Sequence, residues 1–261
     1  TVIAIMRDSP KSEAALKEIQ SKSGKAEQII WMKADLSSQK SIRELAKDFN
    51  EKYDRLDVLL NNAGVFNYKK KMTGEGIETT FAVNVLSPFL LSNLLLDKLM
   101  SSTPSRIVNV SSDAANGERL DFENLQGEKK YGSFSQYGES KLALNLITVE
   151  LSRRLTGTGV TANFLHPGVI RTDLARQLNP VARAFFSLVK LFLGSPESGA
   201  KTSIYLASSP EVEGISGKYF AKQRQAKANP ESFDAKEAEH MWKFCENLTG
   251  STLPKPIVQA S

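Results

Sequence analysis

Tyr137 and Lys141 lie four positions apart in Tyr137-Gly138-Glu139-Ser140-Lys141, so a helix through this stretch puts both on one face. A phenol beside an ammonium is an acid–base device. Free tyrosine titrates near ~10 and exchanges protons poorly at neutral pH, and a nearby cation lowers that value. Upstream, the apolar run Ile107-Val108-Asn109-Val110 ends in two hydroxyls, Ser111 and Ser112. Taken alone, the Tyr/Lys spacing is equally that of an ordinary exposed helix pair.

Rigid elements have to position such a pair, and the hydrophobic pattern supplies them. Strands are predicted at 1–6, 28–32, 57–60, 105–111, 160–165 and 218–220. Helices are predicted at 12–23, 37–53, 78–100, 134–155, 197–207 and 235–248, the fourth carrying Tyr137 and Lys141. Strands alternating with helices argue for a parallel sheet covered on both faces. The chain has 261 residues, 41% of them hydrophobic, which suits one domain with a substantial core. The expected layout is a single domain over 1–250 and a loose tail over 251–261.

Further motifs occur in a fixed order. They are Asp57-Val58-Leu59-Leu60-Asn61-Asn62-Ala63-Gly64, Asn84 within Ala82-Val83-Asn84-Val85, and His166-Pro167-Gly168-Val169-Ile170-Arg171-Thr172. With Ser112, Tyr137 and Lys141, this combination resembles the short-chain dehydrogenase/reductase family from Thr1 to about Phe220. The 25 positions from Ser112 to Tyr137 resemble the retinol-dehydrogenase-like branch, as does Leu125-Gln126-Gly127-Glu128-Lys129-Lys130-Tyr131 within them.

The resemblance implies a Rossmann-like doubly wound α/β fold, a nicotinamide cofactor, and hydride transfer between an apolar alcohol and its carbonyl. It implies Tyr137 as general acid in reduction and base in oxidation. Lys141 would stabilise the phenolate and bind the nicotinamide ribose. Ser112 would orient the substrate oxygen, family spacing favouring it over Ser111. Asn84 would hold a water linking Lys141 to solvent. Asn62, Ala63 and Gly64 resemble the loop on the adenine and ribose side of the cofactor, although Asn and Gly also favour plain turns. Asp35 and Leu36 resemble the pair that contacts the adenine ring, and Asp35 equally suits a helix N-cap ahead of Ser37. Pro167, Gly168, Val169, Ile170 and Thr172 resemble the segment beside the nicotinamide. His166 is expected to be structural, because Tyr137 already fills the proton-transfer role.

Arg7 bears on which cofactor is used. An acid ending the second strand of a dinucleotide fold binds a ribose 2′-hydroxyl, whereas an arginine accepts a 2′-phosphate. Met6 occupies the expected acidic position and Arg7 follows, so NADP(H) is favoured over NAD(H). The other reading is a solvated Arg-Asp turn. Residues 181–193 hold Ala184-Phe185-Phe186 and Leu188-Val189-Lys190-Leu191-Phe192-Leu193. They read as an apolar substrate lid for a lipophilic alcohol or carbonyl, with a buried helix or peripheral membrane contact as the alternatives.

Composition narrows the field. The net charge of +5 is dispersed apart from Lys69-Lys70-Lys71, which argues against a nucleic-acid partner. One cysteine, Cys245, and two histidines argue against an internal disulfide and a zinc site. No leader or spanning run is visible, so the expectation is a cytoplasmic protein, with membrane association and a homo-oligomer left open.

The start of the chain raises a separate expectation. A dinucleotide fold opens with a strand, a glycine-rich turn and a helix N-terminus whose N–H groups hold pyrophosphate. The family segment is Thr-Gly-x-x-x-Gly-x-Gly, and here the first glycine is Gly24. Thr1–Arg7 instead resembles the family's second strand. The expectation is that a first strand and helix, on the order of 30 residues, are missing, as in a fragment or truncated gene model. The runner-up is a noncatalytic interaction or regulatory remnant of the same fold. An epimerase-like enzyme with the same Tyr/Lys pair suits the apolar 181–193 stretch less well.

Overall fold

A computed structural model describes residues 1–168 and 195–253 of the chain. The strands are β1 (Val2–Met6), β2 (Ile29–Lys33), β3 (Val58–Asn61), β4 (Ser105–Val110), β5 (Val160–His166), β6 (Tyr219–Ala221) and β7 (Arg224–Gln225). The first helices are α1 (Pro10–Ser23) and α2 (Gln39–Lys52). They are followed by α3 (Thr79–Phe81), α4 (Ser87–Leu94), α5 (Leu96–Ser101) and α6 (Ser133–Arg154). The last described helices are α7 (Pro196–Ser208) and α8 (Ala235–Thr249). Each strand expected from the pattern is present, and β3 to β6 pair in parallel, giving the α/β architecture.

One feature of the sheet was not expected and one agrees with the reading of Thr1–Arg7 as a second strand. A short antiparallel strand, β7, returns along β6 with Phe220 opposite Gln225. The sheet is also split into a β1-β2 pair and a β3-β4-β5-β6-β7 set. In a doubly wound order a central strand lies between the neighbours that β1 and β3 represent here. Val2 and Leu60, on the two facing strands, are 63% and 42% exposed. Each facing edge offers backbone donors and acceptors that a further strand would pair with.

The expected single helix over 78–100 is interrupted. It starts as α3, passes through a π turn at Ala82–Leu86, continues as α4, and breaks again before α5. Pro88 supplies the reason. Its ring clashes with the carbonyl four residues back, that of Asn84, and it has no N–H to donate. The ladder responds with a longer bond, from Ser87 N–H to Ala82 O. The π turn therefore falls on Asn84, as such turns often do at functional positions.

Helix α6 is the spine of the molecule. Every residue from Ser140 to Leu151 is buried, so it is apolar or internally satisfied all round rather than amphipathic. One side packs on the main core with Phe81, Phe89, Leu99, Ile107 and Trp242. A second core joins Ile42, Leu45, Ala46 and Phe49 of α2 to Leu90, Leu91 and Leu95. The expected tail boundary at 251 is corrected here. Ser251 is buried and Leu253 packs on the main core, so the docked chain continues past α8. Residues 254–261 lie outside the described residues.

Candidate active site

The C-terminal ends of β3, β4 and β5 converge with the start of α6, the location where open α/β sheets bind ligands. Tyr137 and Lys141 sit on the first turns of α6, as their spacing requires. Lys141 is buried, and its Nζ donates to Val110 O at 2.9 Å. The same nitrogen lies 5.7 Å from the centre of the Tyr137 ring. Burial lowers the Lys141 pKa to about 8. Burial raises that of the Tyr137 phenol, and a hydrogen bond with the Ser112 hydroxyl opposes the rise. The expected lowering of the phenol by the ammonium is therefore corrected: burial of the phenol raises its pKa.

Ser111 and Ser112 leave β4 on opposite sides. Ser111 Oγ donates to Asn145 Oδ1 at 2.6 Å inside the protein, and Asn145 Nδ2 in turn donates to Ser232 Oγ at 3.1 Å. Ser112 begins a one-turn helix at Asp113–Ala115, its Oγ accepting from Ala114 N at 3.1 Å. The two adjacent hydroxyls therefore have different surroundings, Ser111 in the interior and Ser112 in the turn after β4.

Asn84 is fully buried and faces the same region. Its Oδ1 accepts from Val65 N at 2.8 Å, and its Nδ2 donates to Val65 O and to Ser140 Oγ, both at 3.0 Å. These bonds tie the π turn to α6 and to the loop after β3. In that loop Asn62, Ala63 and Gly64 are exposed. A Cβ on Gly64 would lie 3.3 Å from Lys141 Nζ and 3.5 Å from Asn84 Oδ1. The glycine therefore keeps open space beside the ammonium, where a ribose or nicotinamide could lie.

The remaining expected residues are placed as follows. Pro167 and Gly168 extend directly from β5 and are half-buried. Val169, Ile170, Thr172 and the expected lid at 181–193 lie outside the described residues. Arg7 is exposed just past β1, beside an Asp8–Lys33 ion pair of 2.9 Å. Asp35 is exposed and Leu36 half-buried. Asp35 does not cap α2. Its Oδ1 accepts from Ser37 N at 2.9 Å in a local turn, and the cap is Ser38, which accepts from Ser41 N. Ser38 wins because it stands immediately before the helical residues, where a short side chain reaches the orphan N–H groups.

The sequence profile of the short chain dehydrogenase family matches residues 1–182. The chain belongs to this family. It is accordingly an oxidoreductase of the short-chain dehydrogenase/reductase type, in its retinol-dehydrogenase-like branch. It is 45% identical over 226 residues to retinol dehydrogenase 14 of Mus musculus, covering 85% of this chain and 68% of that protein. Among solved structures, an uncharacterized protein from Mycobacterium Paratuberculosis is 30% identical, with a TM-score of 0.77 over 97% of this chain and 85% of that one. The NADPH-bound carbonyl reductase from chicken fatty liver is 25% identical, with a TM-score of 0.63 over 87% of each chain.

Several residues of this short-chain dehydrogenase site escaped the sequence reading. Gly138 lets α6 press on the turn after Ser112, since a Cβ there would meet Ala114 O at 2.6 Å. Phe66 sets its ring edge against Tyr137 with centroids 5.7 Å apart, and the 67%-exposed Phe134 packs on Phe66 at 5.2 Å. Asn61 Nδ2 donates to Asn109 Oδ1 at 2.8 Å, and Asn109 Nδ2 donates to Thr148 Oγ1 at 2.7 Å, pinning β3 and β4 to α6. Placement of Phe66 directly after Gly64-Val65 was a signal for the aromatic wall. The buried asparagine chain had no signal, because its partners are far apart in sequence.

Proposed function

We propose that this enzyme interconverts a lipophilic alcohol and its carbonyl with a nicotinamide cofactor, NADP(H) favoured, using Tyr137 as the acid or base. The carrying observation is the half-buried Tyr137 ring, whose centre lies 5.7 Å from the Nζ of the buried Lys141, beside the turn that begins at Ser112. The residues present suit the nicotinamide half of such a cofactor, because Gly64 leaves open the space beside Lys141 Nζ. When bound, the cofactor supplies or accepts the hydride.

The chain's own residues do the rest. Ser112 donates to the carbonyl oxygen and orients it toward Tyr137. Tyr137 gives that oxygen its proton as the carbonyl carbon is reduced, and takes it back in the oxidative direction. Such positioned proton transfer is worth roughly 10²–10⁴-fold. Lys141 stabilises the phenolate left behind and would hold the ribose hydroxyls of the cofactor. Asn84 supports this by fixing the loop that carries Gly64. Phe66 and Phe134 form an aromatic wall from Tyr137 to the surface, which favours an apolar substrate. The similarity to retinol dehydrogenase 14 points the same way. Exposed Arg7 at the end of β1 suits a 2′-phosphate. The test is stopped-flow oxidation of NADPH with retinal and with a short aldehyde. Faster hydride transfer to retinal supports the reading; no transfer to either aldehyde rejects it.

A further inference from the structure

Asp113, immediately after Ser112, is held from two other strands. Tyr219 of β6 donates its hydroxyl to Asp113 Oδ1. Asp113 N donates to His166 Nδ1 at 3.3 Å, and His166 Nε2 lies 3.4 Å from Asp113 Oδ2. Tyr219 is buried, with its ring 5.4 Å from that of Phe164 on β5, so its hydroxyl is a fixed point. By contrast, Ser112 Oγ accepts from the backbone only within its own turn, at Ala114 N. The backbone is tied to β5 before the turn, by Ser111 N donating to Leu165 O at 2.7 Å, and Asn229 Nδ2 donates to Ala115 O at 2.8 Å, so Asp113 supplies the turn's side-chain tie to β5 and β6.

We infer that Asp113, clamped by Tyr219 and His166, is a positioning residue that keeps the Ser112 hydroxyl aimed at Tyr137. This rests on the reading of Ser112 and Tyr137 as the proton-transfer pair. The alternative role for Asp113 is a first-turn acid that merely favours the helix of Asp113–Ala115. That role needs neither Tyr219 nor His166. The clamp has a second consequence. His166 is followed directly by Pro167 and Gly168, so one carboxylate ties the serine turn to the segment expected beside the nicotinamide.

The two roles differ in what they do to the rate. Loss of the clamp lets Ser112 rotate, and misplacing a catalytic group by about 1 Å lowers turnover on the order of 10²-fold. Asp113→Ala and Tyr219→Phe are therefore expected to lower the hydride-transfer rate roughly tenfold to a hundredfold, with NADPH affinity unchanged. Asp113→Asn keeps an acceptor for Tyr219 and should recover most of the rate. It replaces a side chain that is 54% exposed, so it tests the idea without disturbing the core. In a Ser112→Ala background, Asp113→Ala should cost nothing further. A slow Ser112→Ala enzyme with a parental rate in Asp113→Ala, or with independent losses in the double variant, overturns the clamp alone. A parental rate in Ser112→Ala overturns the role of Ser112 and the clamp with it.

Discussion

Ser111 and Ser112 are adjacent in the chain, yet Ser111 Oγ donates inward to Asn145 Oδ1 at 2.6 Å while Ser112 Oγ accepts from Ala114 N at 3.1 Å in its own turn. Their alanine variants should separate stability from chemistry. Ser111→Ala leaves a buried acceptor without its donor, a loss of about 1–3 kcal/mol, and should lower the melting temperature with little change in turnover. Ser112→Ala should melt near the parent and lose roughly 10²-fold in hydride transfer. Differential scanning calorimetry and stopped-flow rates on both variants check this. The reverse pattern would exchange the two serines' roles.

Gly138 and Ala114 give a second outcome. With the Ala114 carbonyl oxygen 2.6 Å from where a Cβ would stand, Gly138→Ala must push α6 away from the serine turn. A backbone atom cannot rotate aside, so overpacking of about 1–3 kcal/mol is expected. Turnover should fall along with the urea midpoint. An unchanged midpoint would show that the turn yields freely.

Tyr137→Phe removes one hydroxyl from a half-buried ring that still packs on Phe66. Fold and NADPH affinity should stay near parental, while carbonyl turnover falls roughly 10²–10⁴-fold. Lys141→Met should slow turnover and also weaken NADPH binding. It should nevertheless melt higher at pH 7, because burial lowers the ammonium pKa to about 8 and so makes its charged form unfavourable in the fold. The sign follows from linkage. A lysine with a lowered folded pKa contributes stability above its ordinary value near 10.5, and loses it as pH falls through about 8. The melting advantage of Lys141→Met should therefore shrink from pH 7 to pH 9.5.

Glu139 is pushed up to about 7 by burial, with the carboxylates of Glu118 and Asp121 adding to the rise. The folded protein then holds this proton more tightly than the unfolded chain. Its contribution is fully present below about 4.5 and is lost as pH rises through about 7. Glu139→Gln should thus match the parent at pH 5 and melt higher at pH 8, by about 2 °C for a chain of this size. Parallel melts at the two pH values measure it, and equal differences at both would remove the assignment.

Arg7→Ala should narrow the preference for NADPH over NADH by about 1–3 kcal/mol, the scale of a charge-assisted contact. Fluorescence titration with both cofactors decides the point. Equal NADPH affinity in parent and variant would reject Arg7 as the reader of the 2′-phosphate.

Much of this could be read from the chain because the signals are local. Apolar runs and helical periods depend on near neighbours, so the strands from β1 to β6 and the helix carrying Tyr137 and Lys141 were legible, as was the family from its ordered motifs. Helix 78–100 was overextended because the consequence of Pro88 is felt four residues back, at a carbonyl that pattern alone does not weigh. Only the tertiary structure showed that Ser111 turns inward to Asn145, that a side chain at Gly138 would meet the Ala114 carbonyl, and that Asp113 meets Tyr219 and His166. Those relations join residues up to 106 positions apart. Distances across packed elements carry no sequence period, and burial rather than residue type sets the opposite pKa shifts of Tyr137 and Lys141.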